Sequence, residues 1–121
     1  MHEPVLLVDD DEFARGFART VLERAGFAVH EVEDMAGALS AVDAVHPTAV
    51  VTDWNLPDGS GGVLARRLHE QTERLPVILI TGDGSANDPM PDLLDHDFTA
   101  VIYKPYSPSA LERAILAAVP R

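Results

Sequence analysis

The sequence has no cysteine. That excludes disulfides, thiol chemistry and cysteine-ligated zinc together, and it accords with a reducing cytosol. Basic residues are scarce: 9 Lys and Arg stand against 20 Asp and Glu, a formal net charge of −11. A surface this acidic repels phosphate backbones and anionic lipid, so direct contact with nucleic acid or a membrane surface is disfavoured. Long apolar runs are missing too; they stop at about four residues, where a membrane span needs about 20. The opening Met1-His2-Glu3-Pro4 offers neither a basic nor an apolar segment. No signal peptide is read there, and a cytoplasmic location is expected.

What is present is ordinary globular material: 121 residues, 46% apolar and 24% charged, enough for one domain with one core, taken here as residues 1–121. Short aliphatic runs recur at Val5–Val8, Ala49–Val51, Val77–Ile80 and Ala100–Tyr103, with a weaker alternating version at Ala28–Val32. Runs apolar on both faces suit parallel strands covered on both sides. Helical patterns lie between them. Phe13, Phe17 and Val21, with Ala14, Ala18, Leu22 and Ala25, mark a first helix ended by Gly26. Ala38, Leu39, Val42 and Val45 mark a second, and Val63, Leu64 and Leu68 a third. Leu111, Ile115, Ala118 and Val119 mark the last, opened by Ser107 as N-cap and Pro108 at the first helical position. Between the third and last, residues 83–97 hold Gly84, Pro89 and Pro91, so a long loop and a short fourth helix are expected. Five β-α alternations predict an open, mostly parallel α/β sheet with right-handed crossovers.

The chemistry lies at the carboxyl end of each run. Val5–Val8 leads into Asp9-Asp10-Asp11-Glu12, Ala49–Thr52 into Asp53, Val77–Ile80 into Thr81 and Ala100–Tyr103 into Lys104. In a parallel sheet these residues all arrive at the same edge, where such folds bind ligands. Asp9, Asp10 and Asp53 cannot crowd together ionised without compensation. A hard divalent cation supplies it; Mg²⁺ commonly takes one or two carboxylates, several waters and a phosphate. Lys104 offers a point charge for an anion and Thr81 a hydroxyl donor. Carboxylate, cation, amine and hydroxyl together suit in-line acceptance of a phosphoryl group.

The segments Val8-Asp9-Asp10-Asp11-Glu12, Thr52-Asp53-Trp54-Asn55-Leu56-Pro57-Asp58-Gly59, Ile80-Thr81-Gly82 and Tyr103-Lys104-Pro105-Tyr106 resemble the receiver domains of bacterial two-component response regulators, including the chemotaxis receivers, across essentially the whole chain. The resemblance implies a flavodoxin-like, doubly wound five-stranded sheet of order 2-1-3-4-5 with five helices. It implies Asp53 as phosphoacceptor, Asp10 as direct Mg²⁺ ligand, Asp9 acting through water, and the Asn55 backbone carbonyl as a further metal contact. Thr81 and Lys104 would meet the phosphoryl group, Gly82 would leave an open approach, and the peptide before Pro105 would be cis. The implied partners are a histidine kinase or phosphotransfer protein and a downstream protein, with a homodimer through the helix 4–strand 5–helix 5 face also allowed. The chain would be a stand-alone receiver or the C-terminal receiver of a hybrid kinase, and no enzyme beyond its own phosphorylation and dephosphorylation. The sequence departs from the family at Val101, where an aromatic often stands, with Tyr103 two residues on along the same strand face. Asn55 and Asp83 occupy positions at which the family tunes the lifetime of the phosphorylated state.

Two rivals stand beside this reading. One is a Mg²⁺-dependent aspartyl phosphohydrolase, which often carries an Asp two residues after its nucleophile; Asn55 is there instead and cannot exchange protons as that role requires. The other is an interaction module that is never phosphorylated. An EF-hand at Asp53 fails, because the loop's sixth position is Asp58 rather than Gly and its twelfth is Leu64 rather than Glu. Asp11 is read as a helix cap, Trp54 as a packing or rim residue, and the five histidines as surface or packing residues.

Overall fold

A computed structural model describes residues 2–82 and 98–119. The elements run Glu3–Val8 (β1), Glu12–Arg24 (α1), Phe27–Val32 (β2), Met35–Val45 (α2), Ala49–Asp53 (β3), Asn55–Leu56 (β4), Gly59–Ser60 (β5), Gly61–Gln71 (α3), Val77–Thr81 (β6), Ala100–Tyr103 (β7) and Pro108–Ala118 (α4). Strands β2-β1-β3-β6-β7 form one five-stranded sheet, parallel throughout. With the two-residue hairpin β4–β5 set apart, this is the expected order 2-1-3-4-5. The expected short fourth helix falls at 83–97, outside the described residues.

The strands sort their side chains by parity, as a pleated backbone requires. Val5, Leu7, Val51, Ile78, Ile80 and Ile102 pack with α1 and α4. Leu6, Val8, Val50, Val77, Leu79 and Val101 pack with α2 and α3. Both faces are therefore covered, which explains why the central strands carry unbroken apolar runs at Val5–Val8, Ala49–Val51 and Val77–Ile80.

Each helix starts on a side-chain cap. Asp11 accepts from the Phe13 amide, Asp34 from Gly37, Ser60 from Val63 and Ser107 from Ala110, with Pro108 in the first turn. Gly26, at φ 101°, takes the left-handed backbone that turns α1 into β2. The first helix corrects the expected face. Its buried residues are Ala18, Val21 and Leu22, whereas Phe13 is 91% and Phe17 44% exposed. Phe13 sits in the first turn, beyond the reach of the sheet, and Phe17 lies at the edge, its ring 5.3 Å from Tyr106 in a T-shaped contact. Val63 on α3 is likewise half exposed; Leu64, Ala65 and Leu68 make that helix's buried stripe.

Candidate functional site

The register sets the site. Val8 pairs with Thr52, so Asp9 and Asp53 each stand one residue past a matched pair. Asp53 pairs with Ile80 and Thr81 with Tyr103, which brings Lys104 to the same edge. One carboxylate oxygen from each of Asp9, Asp10 and Asp53 lies within 4.8 Å of the others. Lys104 Nζ is 3.4 Å from Asp53 Oδ2. The Lys104 amide donates to the Thr81 carbonyl at 2.7 Å, and the Lys104–Pro105 peptide is cis, as expected.

Main-chain contacts fix the carboxylates. Asp53 Oδ1 accepts from the Trp54 amide at 2.8 Å, and Asp9 Oδ1 from the Asp11 amide at 2.9 Å. Asp9 is buried, Asp53 half-buried and Asp10 exposed. Burial pushes the Asp53 carboxyl above its ordinary range, while the Lys104 ammonium and the Trp54 amide pull it back. Burial also raises Asp9; the Asp11 amide opposes that and the Asp53 charge adds to it. Two acids that ionise reluctantly beside a third carboxylate are a donor set that a hard cation would complete. The chemistry of these oxygens fits Mg²⁺.

Thr81 ends β6 wholly buried. Asn55 opens β4 opposite Ser60, two residues after Asp53. Val101 packs on the α2/α3 side of the sheet, while Tyr103 is 49% exposed. Tyr106, beyond the cis peptide, has its hydroxyl pushed up to about 12 by burial and by the charge of Asp9. The Trp54 ring lies over the first turn of α3, against Gly62, confirming it as a packing residue. His69 and His2 contact the backbone carbonyls of Leu75 and Gly26. Asp83 lies outside the described residues, as does the helix 4 part of the expected helix 4–strand 5–helix 5 face, while its strand and last helix are β7 and α4.

Two contacts escaped the sequence reading. Asp58 accepts from the Met35 and Ala36 amides at 2.8 and 3.0 Å, tying the loop after Asp53 to the start of α2. Those two bonds hold its carboxyl below the usual range. Arg15 donates from Nη1 to the Asp9 carbonyl at 2.9 Å. No sequence periodicity marks either contact, because each joins a side chain to a distant backbone group.

The profile of the response regulator receiver domain matches residues 5–116. The chain is 32% identical to the phosphate regulon transcriptional regulatory protein PhoB of Escherichia coli K12, covering 100% of this chain and 53% of that protein. It is 44% identical over 80 residues to the C4-dicarboxylate transport transcriptional regulatory protein DctD of Pseudomonas aeruginosa, covering 66% of this chain and 17% of that one. The crystal structure of the receiver domain of NtrX from Brucella abortus superposes with a TM-score of 0.86 at 25% identity, over 95% of this chain and 97% of that one. The chain thus spans about half the length of the phosphate regulator and less than a fifth of the dicarboxylate regulator. Among the described residues no helix is long and apolar enough to cross a membrane.

Proposed function

This chain belongs to the response regulator receiver family, and from that membership we propose that it is a phosphoacceptor switch whose Asp53 takes a phosphoryl group from the phosphohistidine of a histidine kinase or phosphotransfer protein. Receiver domains are signalling switches rather than conventional enzymes; they use Mg²⁺ and work between histidine kinases and downstream effectors. We read residues 1–121 as one such domain in the cytoplasm, its acidic surface turned to protein partners rather than to nucleic acid. The supporting observation is the meeting of three carboxylates within 4.8 Å with the Lys104 ammonium 3.4 Å from Asp53.

In the transfer, an Asp53 carboxylate oxygen bonds to phosphorus as the phosphorus–nitrogen bond of the donor breaks. The imidazole nitrogen keeps that electron pair and takes up a proton. Asp10 would hold the cation directly, Asp9 would hold it through water, and the Asn55 carbonyl would add a further contact. Bound Mg²⁺ supplies positive charge to the phosphoryl oxygens. Lys104 pairs with the new phosphoryl group rather than with the free carboxylate, and Thr81 donates its hydroxyl to a phosphoryl oxygen. Because Lys104 leaves its present partner in that state, the β7–α4 connection is where the charge change becomes a surface change. A hydrolytic enzyme is the weaker reading, since Asn55 stands where that chemistry needs an acid.

Acetyl phosphate with Mg²⁺ tests the proposal. Intact-mass analysis is expected to show one phosphoryl adduct on the unsubstituted protein and none on Asp53→Asn. An undiminished adduct on Asp53→Asn would remove Asp53 from the acceptor role.

A further inference from the structure

We propose that Arg15 is a positioning residue for the metal site, acting through the peptide that joins Asp9 to Asp10; the inference rests on the metal-binding reading above. The Asp9 carbonyl and the Asp10 amide belong to one planar unit. Fixing the direction of that carbonyl therefore fixes the plane that carries the Asp10 amide and Cα, the point from which its side chain departs. Both ends of Asp9 are tied to the edge strand β2. Its amide donates to the Val32 carbonyl at 3.1 Å. Its carbonyl accepts from Arg15 Nη1 at 2.9 Å, and Arg15 Nε donates in turn to Glu31 Oε1 at 3.1 Å. Glu33 stands 3.7 Å from the same Nη1. Glu31 is steadied by a second arginine, its Oε2 accepting from Arg19 Nη1 at 3.0 Å. The Arg15 side chain is only 15% exposed. Its planar fork reaches a carbonyl and a carboxylate at once, which a single ammonium cannot match geometrically.

Charge and position act in opposite directions here, and that makes the role measurable. A cation beside a cation site repels Mg²⁺, so charge alone would make removal of Arg15 tighten Mg²⁺ binding. Loss of the fork frees the Asp9–Asp10 peptide and weakens binding. Isothermal calorimetry with Mg²⁺ on the full chain, comparing unsubstituted protein with Arg15→Met and Arg15→Lys, separates the two. Both variants are expected to bind Mg²⁺ about 10-fold more weakly, at the low end of what outer partners of a metal site contribute. In the metal-free proteins the Asp10 amide resonance is expected to move in both variants. Arg15→Lys keeps the charge and the helical propensity, so the experiment stays readable where Arg15→Met unfolds. Tighter or unchanged binding in Arg15→Met, or unchanged binding in Arg15→Lys, would overturn the positioning role. Absence of Mg²⁺ uptake by the unsubstituted protein would instead overturn the metal reading, and the positioning role with it.

Discussion

Asp9 and Asp53 are acids kept away from water beside a third carboxylate, and both ionise above their ordinary value of 3.8. In the metal-free protein the folded state retains protons that the unfolded chain has already released. Their contribution to stability is therefore full below about 3.8 and is lost as pH rises through the folded-state values. Asp58, with its lowered pKa, contributes in the opposite sense: its stabilisation is present above 3.8 and is lost as pH falls through its folded-state value. It lies outside the carboxylate cluster, so a comparison with and without Mg²⁺ cancels it. Mg²⁺ needs the clustered carboxylates ionised and reverses their slope. Urea unfolding is thus expected to show a Mg²⁺-induced rise in midpoint that is largest near neutral pH and disappears toward pH ~4. A rise of equal size at both ends of that range would contradict the assignment of these two acids to the site. Single residues at strand ends were legible in the sequence, because Asp9, Asp53, Thr81 and Lys104 each come directly after an apolar run. Arg15 and Asp58 were not; the amide that Asp58 holds at Met35 is 23 residues away along the chain.

At the scale of elements, the site depends on α3 starting hard against the end of β3. The Gly61 amide donates to the Trp54 carbonyl at 2.7 Å. A Cβ at Gly61 would stand 2.5 Å from the Asp53 carbonyl oxygen and 3.3 Å from Trp54 Cα. Both obstacles are backbone and neither can swing aside, so α3 would have to move away from β3. Gly61→Ala is expected to cost about 1–3 kcal/mol of unfolding free energy, the usual range for overpacking. On the proposed function it should also lower the yield of the Asp53 adduct, because the displaced backbone is that of Asp53. Thermal or urea unfolding checks the first and intact mass the second; a variant as stable as the parent would contradict the close approach. The sequence holds Gly59, Gly61 and Gly62 here without showing what needs the space, and it gave no sign of the small β4–β5 hairpin. Helix faces were legible only in part. The 3.6-residue period places Phe13 and Phe17 above Val21 on α1, but period alone does not say where a helix outruns the sheet beneath it.

Across the whole molecule, the two cores hold the sheet as a rigid platform, with Leu6 and Leu79 buried on one face and Leu7 and Ile78 on the other. Strand burial was legible because central parallel strands must be apolar on both faces, and their ends must then carry the polar chemistry; the order 2-1-3-4-5 was implied by the family resemblance alone. The meeting of Asp9, Asp10, Asp53 and Lys104 follows from that topology, although their distances and the outer ties at Arg15 could come only from the structure. The platform leaves one optical reporter in place, since Trp54 is the only tryptophan in the chain and its amide donates to the Asp53 carboxylate. The most direct test of the central claim is a titration of Trp54 fluorescence with Mg²⁺ and beryllofluoride, a mimic of the bound phosphoryl group. The expected result is a saturable change at millimolar Mg²⁺ that becomes tight only when both are present and is lost in Asp53→Asn. An unaltered response in Asp53→Asn, or no response of the unsubstituted protein to the two together, would contradict it.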